Sequence, residues 1–339
     1  MKTRGFRYCK RCDAKLRKNG TQQNGKQRWR CLHCGTARIH HRRDTTFRNE
    51  LKGFVSYLLG MTARNKRNGS LATQSRHDVP YWQVVPEPFV TSEVYAFVIA
   101  DATSVGTGVA GILRSETHVL TWNHGIRENS ELWLRVFGAI PRPSAVVCDG
   151  QKGILKALKL PWPDVVIQRC LVHVERNMHT KLTRHPKSGA GQDIQQLVDQ
   201  LFLVRTADDM AEFVALFLSL YDRHETFLKQ RTMNIDPTSS HKWWYTHRSV
   251  RSAYRQIDQL ICDDQLFAFI THPELNLPRD SNGLEGGINS SLKELLHRHR
   301  GLTAIHQKRL ADWYLDSRTE YPYMKRRHEK PVKNTLFEH

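Results

Sequence analysis

Three carboxylates in this 339-residue chain occupy positions where acids can do chemistry. Asp101 ends an apolar run, residues 94–100, that reads as a buried strand. Asp149 ends a second run, residues 145–148, and Glu285 falls in the first turn of a helix expected from about 284 to 298. Acids at the carboxyl ends of sheet strands project into the crevice where open sheets bind ligands. Two aspartates and a glutamate from separate elements can hold two Mg²⁺ ions roughly 3.5–4 Å apart, with Mn²⁺ as a substitute. One ion activates a water or a hydroxyl, and the other stabilises the leaving oxygen of an in-line displacement at phosphorus. No Ser or Cys nucleophile is needed. An aspartate at a strand end is also a common structural cap, so each is ambiguous alone.

The glutamate's segment tips that balance. Asn282, Glu285, Asn289 and Lys293 recur at intervals of three, four and four, which puts them on one face of a helix. Leu284, Ile288, Leu292, Leu295 and Leu296 supply the opposite, buried stripe. Gly286 and Gly287 just inside a helix are unfavourable and suit close approach of a ligand or a phosphate backbone. The helix ends in His297-Arg298-His299-Arg300, a cluster suited both to phosphate contact and to a helix C-terminus.

A different metal is implied at the N-terminus. Cys9, Cys12, Cys31 and Cys34 form two Cys-x-x-Cys knuckles with 18 residues between them. That spacing is one of a four-cysteine zinc site, in which two knuckles supply a closed tetrahedron of thiolates around one structural Zn²⁺. The other three cysteines, Cys148, Cys170 and Cys262, are isolated, as in a reducing compartment. The formal net charge of +19 is concentrated at the same end: residues 1–80 hold 20 Lys/Arg against 4 Asp/Glu. Such a segment attracts polyanions, nucleic acid above all. Phe6, Tyr8 and Trp29 are interleaved with charges that include Arg28, Arg30, Arg42 and Arg43.

The elements that must position these groups follow from periodicity. Residues 1–43 read as the ribbon. Phe47, Leu51, Phe54, Leu58 and Leu59 then mark a helix capped by Asp44 or Thr45. Residues 62–80 show no clear period, which leaves a degenerate helix-turn-helix and a linker both open, and Pro80, Pro86 and Pro88 mark a boundary. From residue 91 the order strand, hairpin, helix, strand, helix, strand, helix predicts an α/β fold with a mixed sheet flanked by helices. Residues 185–280 read as almost wholly helical, and the last segment, 281–339, as two helices and a tail. Trp243-Trp244-Tyr245 reads as core, with base stacking as the alternative. No signal peptide and no apolar run of membrane-spanning length is seen, and no nucleotide-binding glycine loop follows a strand, which disfavours an oxidoreductase.

Several of these pieces together resemble a Mutator-superfamily bacterial insertion-sequence transposase. They are the strand ending Asp101-Ala102-Thr103, the strand ending Cys148-Asp149-Gly150, the run Gln168-Arg169-Cys170-Leu171-Val172-His173, and Asn282-x-x-Glu285 leading to His297-Arg298-His299-Arg300-Gly301. The resemblance covers about residues 91–315. It implies a ribonuclease-H-like core, residues 91–184 and 281–339, with an Asp101–Asp149–Glu285 triad and an all-helical insertion, residues 185–280, between the second Asp and the Glu. The 135 residues between Asp149 and Glu285 fit such an insertion. It marks Cys170, His173, Asn282 and Asn289 as signature residues. It further implies binding of element ends and target as double-stranded DNA, strand cleavage and transfer, a homodimer or larger synaptic assembly, and a cytoplasmic, nucleoid-associated location. On this reading residues 1–43 and the helical segment 44–90 grip DNA, and Lys293, Arg298 and Arg300 contact phosphates. Relatives often carry a clear helix-turn-helix after the ribbon, and residues 62–80 do not show one. Two rivals remain: a zinc-ribbon DNA-binding regulator derived from an inactive transposase, and a structure-specific nuclease of the same fold.

Overall fold

The protein's fold is described by a computed structural model for residues 7–9, 11–22, 26–39, 43–236, 238–281 and 288–326. Its chain divides into two units, residues 1–83 and 84–339.

In the first unit, β1 (Leu16–Thr21), β2 (Gln27–Cys31) and β3 (Ala37–Ile39) form an antiparallel sheet in chain order. Cys9, Leu16 and Cys31 are its buried core, with Trp29 packed against them. Helix α1 (Arg43–Leu58) buries Leu51, Phe54, Val55 and Leu58, the helical stripe expected, and starts just before the anticipated cap. The undecided stretch contains a 3₁₀ turn, Arg64–Lys66, and a true helix, α2 (Leu71–Trp82), capped by the Ser70 hydroxyl, which accepts from the Thr73 N–H. Its buried face is Gln74, Asp78 and Tyr81, so hydrophobic periodicity was blind to it. Asp78 pairs with Arg67, whose guanidinium lies 4.8 Å from the Tyr57 ring centroid, and Tyr81 donates to Glu50 at 2.6 Å. Pro80 lies inside this helix and does not mark a boundary.

The second unit is built on a five-stranded mixed sheet. Its strands are β4 (Phe97–Val105), β5 (Gly108–Arg114), β6 (Val119–Gly125), β7 (Ala145–Cys148) and β8 (Val166–Arg169), in the order β6-β5-β4-β7-β8. The pairs β4/β5 and β5/β6 are antiparallel, and β4/β7 and β7/β8 are parallel. Helices α3 (Ser130–Phe137) and α4 (Lys152–Leu158) cover one face, burying Trp133, Phe137 and Ile154 against Val98, Ala100, Val146 and Cys148. The other face meets α11 (Ala304–Ser317), with Leu310, Trp313 and Leu315 buried. Helix α10 (Asn289–Arg298) packs beside α11 through Leu292 and Leu295.

After β8 the chain runs through α5 (Leu171–Leu182), α6 (Gly189–Asp199), α7 (Ala207–Lys229) and α8 (Arg248–Cys262), then the short α9 (Ala268–Thr271). These helices share a second core that includes Leu197, Phe213, Phe217 and Ile257. The insertion is not all-helical: β9 (Arg231–Met233) and β10 (Trp243–Tyr245) form an antiparallel hairpin between α7 and α8. Trp243-Trp244-Tyr245 is therefore a strand, and Trp243 is 36% exposed, so the segment is not core. No helix among the described residues is long and apolar enough to cross a membrane.

Candidate active site

Asp101 is not at a strand end. β4 continues to Val105 by pairing with β5, and Asp101 lies mid-strand opposite Ile112. Stopping the strand at its first charge was the error, because a half-buried strand tolerates an acid on the face that opens into a crevice. In the parallel pairing of β4 with β7, Ala100 stands opposite Cys148. One step further along each chain segment, Asp101 continues β4 and Asp149 follows the end of β7 beside it. Ala100 and Cys148 face α3 and α4, so alternation turns Asp101 to the opposite face, where α10 lies. The two carboxylates are partly buried. The Ala102 N–H donates to Asp101 at 2.9 Å and the Gln151 N–H donates to Asp149 at 2.9 Å.

The turn that delivers Asp149 is held by Arg169, a residue that no local sequence pattern singles out. Its guanidinium donates twice to the Asp149 carbonyl, at 3.1 and 2.6 Å, and lies over Gly150, whose φ is +70°. A Cβ on Gly150 would fall 1.8 Å from the Arg169 Cζ. Gln168, also buried, donates to the Leu266 carbonyl and accepts from the Phe269 N–H, fastening the end of the insertion to β8. Cys170 N–H donates to the Cys148 carbonyl at 2.8 Å, and Leu171 N–H donates to the Arg279 carbonyl at 3.1 Å. The Gln168–His173 run thus joins three parts of the chain at the site.

Its fourth connection reaches the segment before Glu285. The Cys170 sulfur accepts from the Ser281 hydroxyl at 3.2 Å and the Ser281 N–H at 3.4 Å, while buried Arg114 donates to the Ser281 carbonyl at 3.0 Å. Asn289, the first residue of α10, donates its side-chain amide to Asp101. Asn282 and Glu285 lie outside the described residues. Lys293, Arg298 and Arg300 are exposed, and Arg298 pairs with Glu294 one turn earlier.

Two further titratable groups face the aspartates. His173 is pushed up to about 8, chiefly by the neighbouring Cys170 thiol and further by Asp101 and Asp149, against the effect of burial. Burial would raise Cys170, but the bonds with His173 and Ser281 hold its thiol below the usual value. Glu128, just before the Asn129 cap of α3, accepts from the Trp133 indole at 3.0 Å. Burial and the charge of Asp149 raise its carboxyl, against the Trp133 bond and His173. Nothing in its sequence context distinguishes Glu128, because the charged groups near it, Asp149 and His173, come from distant parts of the chain.

At the N-terminus the four cysteine sulfurs all lie within 4.8 Å of one another. Cys9 and Cys34 are 3.5 Å apart and Cys12 and Cys31 3.4 Å, near the separation a tetrahedral ion imposes on its thiolates. The two knuckles repeat one backbone pattern. Cys9 N–H donates to the Ala14 carbonyl and Asp13 N–H to the Cys9 carbonyl; Cys31 donates to Thr36 and Gly35 to Cys31 in the same way. The fifth residue of each, Asp13 and Gly35, has positive φ, +57° and +72°. The Cys34 thiol is lowered to about 6, first by the Thr36 hydroxyl at 3.1 Å. These residues fit zinc. Arg28 and Arg30 lie exposed on one face of β2, and Arg30 stands directly opposite Arg17. Arg42 lies outside the described residues, and Arg43 is described only as the start of α1. A second metal-capable group, Glu175, His179 and Asp199, sits on the partly exposed side of α5 and α6, where His179 lies 3.8 and 3.6 Å from the two acids.

No curated protein sequence matches the chain. Residues 90–237, which span the sheet and much of the insertion, match the family described as transposase, Mutator family.

Proposed function

We propose, from the premise that residues 90–237 belong to the Mutator family of transposases, that the protein is an insertion-sequence transposase of the Asp-Asp-Glu type. The observation that carries this reading is the placement of Asp101 and Asp149 beside each other by the β4/β7 register, inside the region the family match covers. The sheet order and its mixture of parallel and antiparallel pairs support a ribonuclease-H-like core. Glu285 is the third acid on this reading. In the sequence Glu285 lies between Ser281, which bonds Cys170, and Asn289, which donates to Asp101.

The donor set of adjacent carboxylate oxygens fits Mg²⁺, which favours oxygen ligands. When bound there, Mg²⁺ would activate the attacking oxygen and neutralise charge developing on the phosphate. The chain's own residues do the positioning. Arg169 and Gly150 fix the turn that aims Asp149, and the Asn289 amide orients Asp101. His173, whose imidazole is pushed up to about 8, lies near both acids. In the first unit, Arg17, Arg28 and Arg30 crowd like charges on one strand face, which is relieved by a polyanionic backbone, so the ribbon serves as a DNA-gripping arm.

The test is cleavage and joining of DNA bearing the element's terminal repeats, with Mg²⁺ or Mn²⁺. Wild type should nick at the repeat end and join the 3′ end to target. Asp101→Asn, Asp149→Asn and Glu285→Gln should each lower cleavage by about three orders of magnitude or more while DNA binding persists. Full strand transfer by any of these variants would end the assignment. Cleavage without joining would leave a nuclease, and binding without cleavage a DNA-binding regulator.

A further inference from the structure

The hairpin of the insertion presents aromatic and cationic side chains together. Strand alternation puts Trp243, Tyr245, Met233 and Arg231 on one face, since Trp243 pairs with Met233 and Tyr245 with Arg231. Trp244 is on the other face. Each aromatic ring carries a guanidinium. Arg231 lies 3.9 Å from the Trp243 centroid, Arg251 lies 3.8 Å from that of Tyr245, and Arg248 lies 5.7 Å from that of Trp244. Beyond this ladder, Met233 is 65% and Ile235 95% exposed. An open cavity of about 630 Å³, lined by residues 244–250, adjoins the same strand.

A two-stranded hairpin alone is marginal in water, but this one has a firm root. The His247 ring stacks on Phe227 at 3.6 Å and bonds Gln230 at 2.8 Å, Thr246 N–H donates to the Gln230 carbonyl, and Arg251 donates to the Leu228 carbonyl at the end of α7. The aromatic strand is therefore presented on a fixed mount.

We propose that the β9–β10 hairpin is a stacking platform for unpaired DNA bases, exposed where a strand is cut or its end melted. This rests on the reading of the protein as a transposase. Residues 231–251 carry Arg231, Lys242, Arg248 and Arg251 against the single acid Asp236, and neither Arg231 nor Arg248 is paired with a carboxylate among the described residues. An apolar protein partner would have to bury those cations uncompensated. Nucleic acid offers phosphates to the cations and flat π-faces to the rings. Paired bases keep those faces inside the stack, so unpaired bases are the occupant that uses both.

The experiment uses the full-length, zinc-loaded protein and fluorescence anisotropy with two probes, a blunt duplex and the same duplex with a short oligothymidine overhang. Wild type should prefer the overhang by roughly tenfold, as stacking on an aromatic ring allows. Trp243→Ala should remove that preference and leave blunt-duplex affinity in place, while Trp243→Phe should retain most of it. The proposal is overturned by equal affinity of wild type for both probes, or by equal losses on both probes in Trp243→Ala. It is also overturned if Trp243→Ala changes only the sedimentation behaviour, which would make the face a contact between copies. Failure of wild type to bind either probe would instead remove the transposase reading on which the proposal rests.

Discussion

On the proposed reading Asp101 is oriented by Asn289, a residue 188 positions away in the chain that donates to its carboxylate. Asn289→Leu keeps the volume and removes the donor. Cleavage should fall by about one to two orders of magnitude, because a carboxylate released from its donor is misplaced for the reaction, while melting temperature should change little because the contact is only partly buried. Loss of stability with unchanged cleavage would contradict this positioning role. A second acid makes a prediction about pH. Asp316 on α11 is 2% exposed and accepts from the Tyr323 N–H and Arg326, yet burial pushes its carboxyl up to about 6 from the ordinary 3.8. The folded state then binds more protons than the unfolded state between these values, so its contribution to stability falls as pH rises from about 4 to 6 and levels off above. In denaturant melts across that range, Asp316→Asn should lose this part of the slope, an effect of up to about 3 kcal/mol. At this scale the acids and cysteines were legible by type and spacing, but Arg169, Ser281 and Glu128 were not. Their importance lies in contacts across the fold, and no local pattern records such contacts.

Among the elements, the β7–α4 turn is the most constrained. Gly150 combines a left-handed φ of +70° with the Arg169 guanidinium where a Cβ would stand. Gly150→Ala must strain the backbone, by roughly 1–2 kcal/mol, and also displace Arg169 from the Asp149 carbonyl. We expect cleavage to be lost with a destabilisation of about 2 kcal/mol or more in urea melts; wild-type cleavage by this variant would show that the turn does not aim Asp149. The sheet strands were legible because short apolar runs between Gly, Pro and polar clusters have few other readings. Two elements escaped that logic. Helix α2 turns Gln74 and Asp78 inward, where Asp78 pairs with Arg67 and the Gln74 amide donates to the Arg67 and Gly69 carbonyls. The β9–β10 hairpin hid its aromatic strand, since three consecutive aromatics look like core until their exposure is known.

Over the whole molecule, the two candidate sites belong to different units. The four cysteines and most of the excess charge belong to residues 1–83, and the paired aspartates belong to residues 84–339. Removing zinc with a chelator should unfold the ribbon, whose core is only Cys9, Leu16 and Cys31 with partly buried neighbours. A colorimetric assay should find one zinc released per chain. DNA affinity should drop by at least about tenfold, with the calorimetric transition of the second unit unmoved. Retained affinity after complete zinc release would exclude the ribbon as the DNA-gripping arm. By itself the sequence determined the paired cysteine knuckles, the basic N-terminal segment, the mixed α/β class and the two aspartates that follow apolar runs. Those features are written in composition, spacing and period, which are local along the chain. Tertiary structure alone decided that Asp101 lies mid-strand beside Asp149, that the Gln168–His173 run binds β7, the insertion and the Ser281 segment together, and that Trp243 faces outward. Such decisions come from strand register and from side chains meeting across a hundred or more residues, where the energy depends on which partner arrives and not on the residue's own neighbours.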